Sequence, residues 1–188
     1  MMPLTGWLAG RFGIKYIFLT SVAGFTIASA LCGAATSLHE LVAFRALQGL
    51  AGAGLIPLSQ ATLLQINPPE RHGHAMAVFG TGTIMGPIMG PMLGGWLTQD
   101  YNWRWIFYIN VPVGILGAIG ILVFIRPARN VHREPFDFLG FATLSLAIGA
   151  LQLMLDRGEL KDWFNSFEIW VELTVAVLGF YLFTVHTV

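Results

Sequence analysis

The sequence predicts an all-α membrane protein with six transmembrane helices, and three observations lead there. First, 55% of residues are hydrophobic and a further 22 are glycine, while only 20 of 188 are Asp, Glu, Lys or Arg; soluble domains carry about a quarter charged residues. Second, six stretches approach or exceed the roughly 20 apolar residues that a spanning helix needs. Third, the run GTGTIMGPIMGPMLGG from Gly80 to Gly95 sets Gly82, Gly86, Gly90 and Gly94 four residues apart, with Pro87 and Pro91 between them. In water, prolines and glycines inside a helix cost about 3 and 1 kcal/mol apiece. In lipid an unsatisfied backbone costs more, so the helix persists there. At about 100° per residue, a four-residue step returns to within about 40° of the same azimuth, and the glycines form a flat face that another helix can approach closely.

The elements follow in order. Met1 to Trp7 is apolar but too short to span, and it reads as the tail of a helix whose beginning is absent. It runs into a loop from Gly6 to Lys15. Spans are expected near 16–36, 41–66, 74–98, 104–125, 138–155 and 166–187, the fifth being short. Their connections are brief, which implies antiparallel neighbours. Asn165 offers a cap for the last helix, with Glu168 three positions on. The chain thus organises as an incomplete helix and loop (1–15), four helices (16–125), a loop (126–137) and two more helices (138–188).

Sidedness comes from the basic residues. Arg11, Lys15, Arg71, Arg126, Arg129 and Arg133 fall on one side, and Arg104, Arg157 and Lys161 on the other. Six against three places the first group, with both the first residues and the carboxy terminus, in the cytoplasm. Trp96, Tyr101, Trp103 and Trp105 then mark the external interface as an aromatic belt. Net charge is zero, with no basic tract, so nucleic acid is not an expected partner; the lipid bilayer is.

Few residues can carry chemistry. Arg45 is the Arg or Lys placed well within a span, where a guanidinium costs a few kcal/mol or more unless paired or hydrated. Two readings stand: a pathway residue, or a side chain that snorkels to the outer interface from the first turns of its helix. Gln48 lies three positions on, on the same face. Glu172 is either a carboxylate that titrates or an interfacial acid facing water. His72 and His74 flank Gly73 as an HxH pair without further ligands, an ordinary hydrophilic loop as readily as a metal fragment; His39, His132 and His186 are scattered, and no metal or cofactor is expected. Cys32 reads as a small buried side chain. Gly49, Gly52, Ala53 and Gly54 follow Arg45 and suit a tight helix crossing. There is no phosphate loop with a following Lys and no HExxH, GxSxG or close carboxylate pair, so neither ATP-driven transport nor hydrolysis is encoded.

Four motifs carry a family resemblance. Gly6-Trp7-Leu8-Ala9-Gly10-Arg11-Phe12-Gly13-Ile14-Lys15 resembles the cytoplasmic loop between helices two and three of the major facilitator superfamily. Arg45-x-x-Gln48-Gly49-x-x-Gly52 resembles its helix-four signature, and Gly82 to Gly95 is similar to its helix-five antiporter signature. Trp103 to Gly114, WRWIFYINVPVG, narrows the likeness to the fourteen-helix drug:proton antiporter branch. The likeness covers nearly the whole chain, as a partial facilitator bundle of helices three to eight.

The resemblance implies a segment of a proton-coupled multidrug efflux transporter of the bacterial inner membrane, exporting amphipathic or cationic organic compounds. It implies proton coupling at Arg45 and Gln48, a cytoplasmic gate at Gly6, Gly10, Arg11, Gly13 and Lys15, and antiporter-helix packing at Gly82, Gly86, Pro87, Gly90, Pro91, Gly94 and Gly95. It also implies partners: protons, small organic substrates and the transporter helices missing from this chain, and it allows a periplasmic adaptor protein. Gly10 stands where the gate has an aspartate and Ile14 where it has a basic residue, so the usual charge pairs of that gate cannot all form. Two other readings remain open: a metabolite or siderophore exporter of the same superfamily, and a truncated membrane scaffold that does not transport. Alternating access needs two halves about a central site, and the segment alone is not expected to transport.

Overall fold

A computed structural model describes residues 2–125 and 136–187, with the side chains of Met2 and Pro3 excepted. The expected loop residues Arg126, Arg129, His132 and Arg133 lie outside the described residues. The chain divides into two compact units, Met1–Glu134 and Pro135–Val188.

The first unit holds α1 (Met2–Phe12), α2 (Ile14–Ala34), α3 (Leu38–Gly52), α4 (Leu55–Ile66), α5 (His72–Asp100), α6 (Trp105–Tyr108) and α7 (Asn110–Phe124). The second holds α8 (Phe138–Arg157) and α9 (Phe167–Thr187). By length and composition these elements make six spans: Ile14–Ala34, Leu38–Ile66, Pro69–Asp100, Trp105–Phe124, Phe138–Arg157 and Phe167–Thr187. The fifth is two residues longer than expected and no longer short. Large apolar side chains stay exposed along every span, among them Ile27, Val42, Ile88, Leu116, Leu146 and Tyr181. A face of that kind suits lipid or another helix rather than water.

Several boundaries correct the sequence reading. The expected loop from Gly6 to Lys15 is helical except at Gly13, whose φ of 91° is open to glycine at little cost. Gly6, Gly10 and Arg11 therefore lie in α1 and Lys15 in α2. The single helix expected over 41–66 is interrupted between Gly52 and Leu55, and that expected over 104–125 is interrupted at Ile109. Each interruption lies near the residue four before a proline, Ala53 before Pro57 and Tyr108 before Pro112, where the pyrrolidine ring crowds the carbonyl and no N–H answers it. Helix α5 runs on through Pro87 and Pro91. There each proline follows a glycine, Gly86 or Gly90, and the missing Cβ removes a clash that disfavours helix before proline.

The cap of the last helix also shifts. Asn165 lies in a 3-10 turn, Trp163–Asn165, and Ser166 supplies the first helical carbonyl, to the Trp170 amide. Glu168 pairs instead with Lys161 at 3.1 Å. His72 and His74 sit in the first turn of α5 rather than a free loop, and His72 Nε2 lies 3.0 Å from the carbonyls of Leu64 and of Asn67.

Helix α2 is the centre of its unit. One face follows α7 antiparallel along its length: Lys15 Nζ donates to the Leu122 carbonyl at 2.8 Å, Val22 meets Gly117, Thr26 fills the space a Cβ on Gly114 would need, and Ser29 meets Asn110. The other face meets α3 through Gly24 against Ala51 and Phe25 against Gly52. In the second unit, Ala147, Ala150, Met154, Ile169 and Ala176 are buried where α8 and α9 pack closely.

At the start of α8, Asp137 Oδ1 accepts from the Gly140 amide at 2.9 Å and lies 2.8 Å from His186 Nε2. The amide first, and then the imidazole, hold this carboxyl below its ordinary range. A carboxyl with a lowered folded value contributes stability above its unfolded value and loses it as the pH falls through the folded one. Asp137→Asn is therefore expected to lower the detergent melting point at pH 7 and to flatten the acid limb of melting against pH. An unchanged acid limb would count against this capping role.

Candidate functional site

The site forms where α3, α2 and α6 meet. Ser37 caps α3 by accepting from the Glu40 amide at 3.2 Å, while Glu40 Oε2 accepts from the Thr36 amide at 2.8 Å. This reciprocal cap fixes the start of α3 and sets Arg45 about 10 Å along it. Gln48 follows one turn on and is 4% exposed. Arg45 Nη1 donates to Gln48 Oε1 at 3.2 Å, so the two residues meet as their spacing suggested. Gln48 Oε1 also lies 3.8 Å from the Sγ of Cys32, which is fully buried in α2. The Arg45 guanidinium stands over the Phe107 ring at 4.6 Å. Among the described residues Lys161 pairs with Glu168 and His186 lies against Asp137, and Arg45 meets no carboxylate.

The segment after α5 builds the other wall. Arg104 Nη1 donates to the Gly33 carbonyl at 2.7 Å and its guanidinium lies 5.1 Å from the Trp103 ring. The Tyr108 ring lies against Gly33, where a Cβ would come within 2.7 Å of it. Ser29 Oγ donates to the Phe107 carbonyl at 2.9 Å and accepts from Asn110 Nδ2 at 3.1 Å. Three of the four expected belt residues join a run of rings, Trp96–Tyr101, Tyr101–Trp105 and Trp105–Tyr108, with centroids about 6 Å apart, while Trp103 meets Phe107. With Leu97, Ile109 and Pro112 the four residues of that run line a cavity of about 410 Å³.

The other expected site residues lie apart from this cluster. On α5 no atom of another described element comes within 4 Å of a Cβ built at Gly82, Gly86, Gly90 or Gly95, and at Gly94 the nearest is Ile106 Cδ1 at 3.9 Å. The glycine face is open, with Pro87 and Pro91 in the same helix. Arg11 is exposed, its guanidinium 5.3 Å from the Trp7 ring. Glu172 lies in the second unit, where its Oε2 is out of solvent without a hydrogen-bond partner.

The family model of the Major Facilitator Superfamily matches residues 1–188. The chain belongs to the major facilitator superfamily. Among its relatives, this facilitator chain is 46% identical over 186 residues to the multidrug export protein EmrB of Haemophilus influenzae, covering 94% of this chain and 35% of that protein. It is 44% identical to EmrB of Escherichia coli K12, over 95% of this chain and 35% of that protein. It is also 45% identical to the fatty acid resistance protein FarB of Neisseria gonorrhoeae, over 89% and 33% respectively. The chain thus spans about a third of the length of the relatives it matches.

The facilitator's sequence left Phe107, Ser29 and Asn110 without a role. Ser29 and Asn110 are polar residues within apolar spans, and that was the available signal. Their meeting depends on the α2–α7 register, which joins residues 81 positions apart.

Proposed function

We propose that this chain is a segment of a proton-coupled multidrug efflux transporter, a carrier that makes and breaks no covalent bond. The observation that supports it is a guanidinium held within a span by a buried amide and a ring, with no carboxylate pair among the described residues. A charge kept there at such cost marks a pathway, and Arg45 with Gln48 is the proposed coupling pair. The proposed substrates are amphipathic or cationic organic compounds. Similarity to two proteins named for multidrug export and one named for fatty acid resistance supports the amphipathic part of that description.

In this reading both ends of the chain face the cytoplasm and the ring cluster from Trp96 to Tyr108 faces outward. Gly6, Gly10, Arg11, Gly13 and Lys15 form a gate at the α1–α2 joint, where Gly13 is the hinge. The open face of α5 packs on transporter helices outside this chain, with Gly82, Gly86, Gly90, Gly94 and Gly95 allowing a close approach and Pro87 and Pro91 shaping it. Residues 138–188 supply two central helices, and the Glu172 carboxylate, with its Oε2 buried and without a hydrogen-bond partner, is a further proposed coupling residue. A periplasmic adaptor is a proposed partner on the outward side.

The test is efflux of ethidium, and separately of a long-chain fatty acid, from vesicles expressing the whole transporter. A proton gradient is expected to drive export of at least one of them, a protonophore to stop it, and Glu172→Gln to slow it severalfold. Export that survives the protonophore would remove the proton-coupled reading.

A further inference from the structure

Phe107 is the residue of the WRWIFYIN segment whose place in the fold most needs a function. It is 6% exposed, in a four-residue helix between two longer ones. Its backbone is anchored to α2 through Ser29, itself held by Asn110. Its ring is braced edge-on by Trp103, with centroids 6.0 Å apart and planes at 87°. Arg104 draws the same segment onto the end of α2. The ring face therefore has little freedom, and the Arg45 guanidinium sits over it at 4.6 Å. Arg45 also donates to Gln48, so its head is fixed from one side by an amide and from another by a π face.

We infer that Phe107 is a positioning residue for Arg45: its ring, braced by Trp103 on a backbone that Ser29 anchors to α2, holds the guanidinium at one place in the span by cation–π attraction. The reason for a ring here is chemical. A carboxylate beside Arg45 would neutralise the charge, whereas an aromatic face orients it and leaves it cationic. An aliphatic side chain of similar size would fill the space but would not attract the cation. The guanidinium thus stays available to an anionic group while its resting position is set by α6, an element distant from it in sequence. This rests on the proposed coupling role of Arg45.

The test replaces Phe107 in the whole transporter by trifluorophenylalanine, which nearly keeps the shape of the ring but drains its negative face, and by leucine. Proton-driven ethidium efflux is expected to fall about three- to thirtyfold with either, with membrane abundance unchanged. In an Arg45→Ala background, where efflux is already lost, the fluorinated ring is expected to leave melting unchanged. A double-mutant cycle on detergent melting reads the contact independently of transport. Full efflux with the fluorinated ring, or melting shifts of Arg45→Ala and the fluorinated ring that simply add, overturns the inference. If Arg45→Ala alone leaves efflux intact, it is the coupling role of Arg45 that fails, and the melting cycle still decides whether Phe107 holds the guanidinium.

Discussion

Replacing Arg45 with alanine is expected to abolish proton-driven efflux while the protein still inserts at its normal abundance. The two outcomes separate because they have different physical origins. An arginine within a span opposes insertion, by about 2.5–3.5 kcal/mol at the bilayer centre on translocon scales and less toward the ends, so its removal makes insertion no harder. The guanidinium nevertheless stays in place, over Phe107 and against Gln48, and alanine supplies neither a charge nor a donor. Arg45→Lys keeps the charge but loses the planar fork, and an intermediate rate is expected from it. Dye efflux from energised vesicles, read beside membrane abundance, tests the role; undiminished efflux in Arg45→Ala would sink it.

The largest structural effect is expected from Gly179→Leu. A Cβ at Gly179 would stand 2.9 Å from Ala147 Cβ and 3.1 Å from the Ala147 Cα and N. Backbone cannot rotate aside as a side chain can, so α8 and α9 must separate to admit it. Overpacking of this kind costs about 1–3 kcal/mol, and leucine here belongs at the upper end, because the loss of close packing is not offset by a hydrophobic gain in lipid. A lowered melting point in detergent is the measurement. Gly82→Leu on α5 is the control: nothing from another described element lies within 4 Å of its Cβ, so melting of the isolated chain should hardly move. An isolated chain equally sensitive at both positions would refute the packing argument.

Much of the architecture was legible without coordinates because lipid simplifies the problem. A backbone that cannot reach water must be helical, so apolar length alone located the six spans within a few residues. The Arg45–Gln48 contact was legible for a similar reason, since residues three apart share a helix face. Helix interruptions were harder to read: Pro57 and Pro112 disturb their helices while Pro87 and Pro91 do not, and the preceding glycines become informative only in comparison. The Gly6 to Lys15 stretch was read as a loop, yet Gly13 is the break and its neighbours are helical.

By itself the sequence determined a multi-pass helical membrane protein, the approximate places of its six spans, the isolated charge at Arg45 and the four-residue glycine spacing of α5. These follow from local properties: transfer of side chains to lipid and the helical period. Tertiary structure alone decided that Phe107 lies beneath Arg45, that Ser29 and Asn110 anchor it, that Gly179 abuts the backbone of Ala147, and that the α5 glycine face stays open within the chain. Each depends on which helix faces which, and in lipid that choice is made by close packing and interhelical hydrogen bonds, since hydrophobicity no longer distinguishes one apolar face from another.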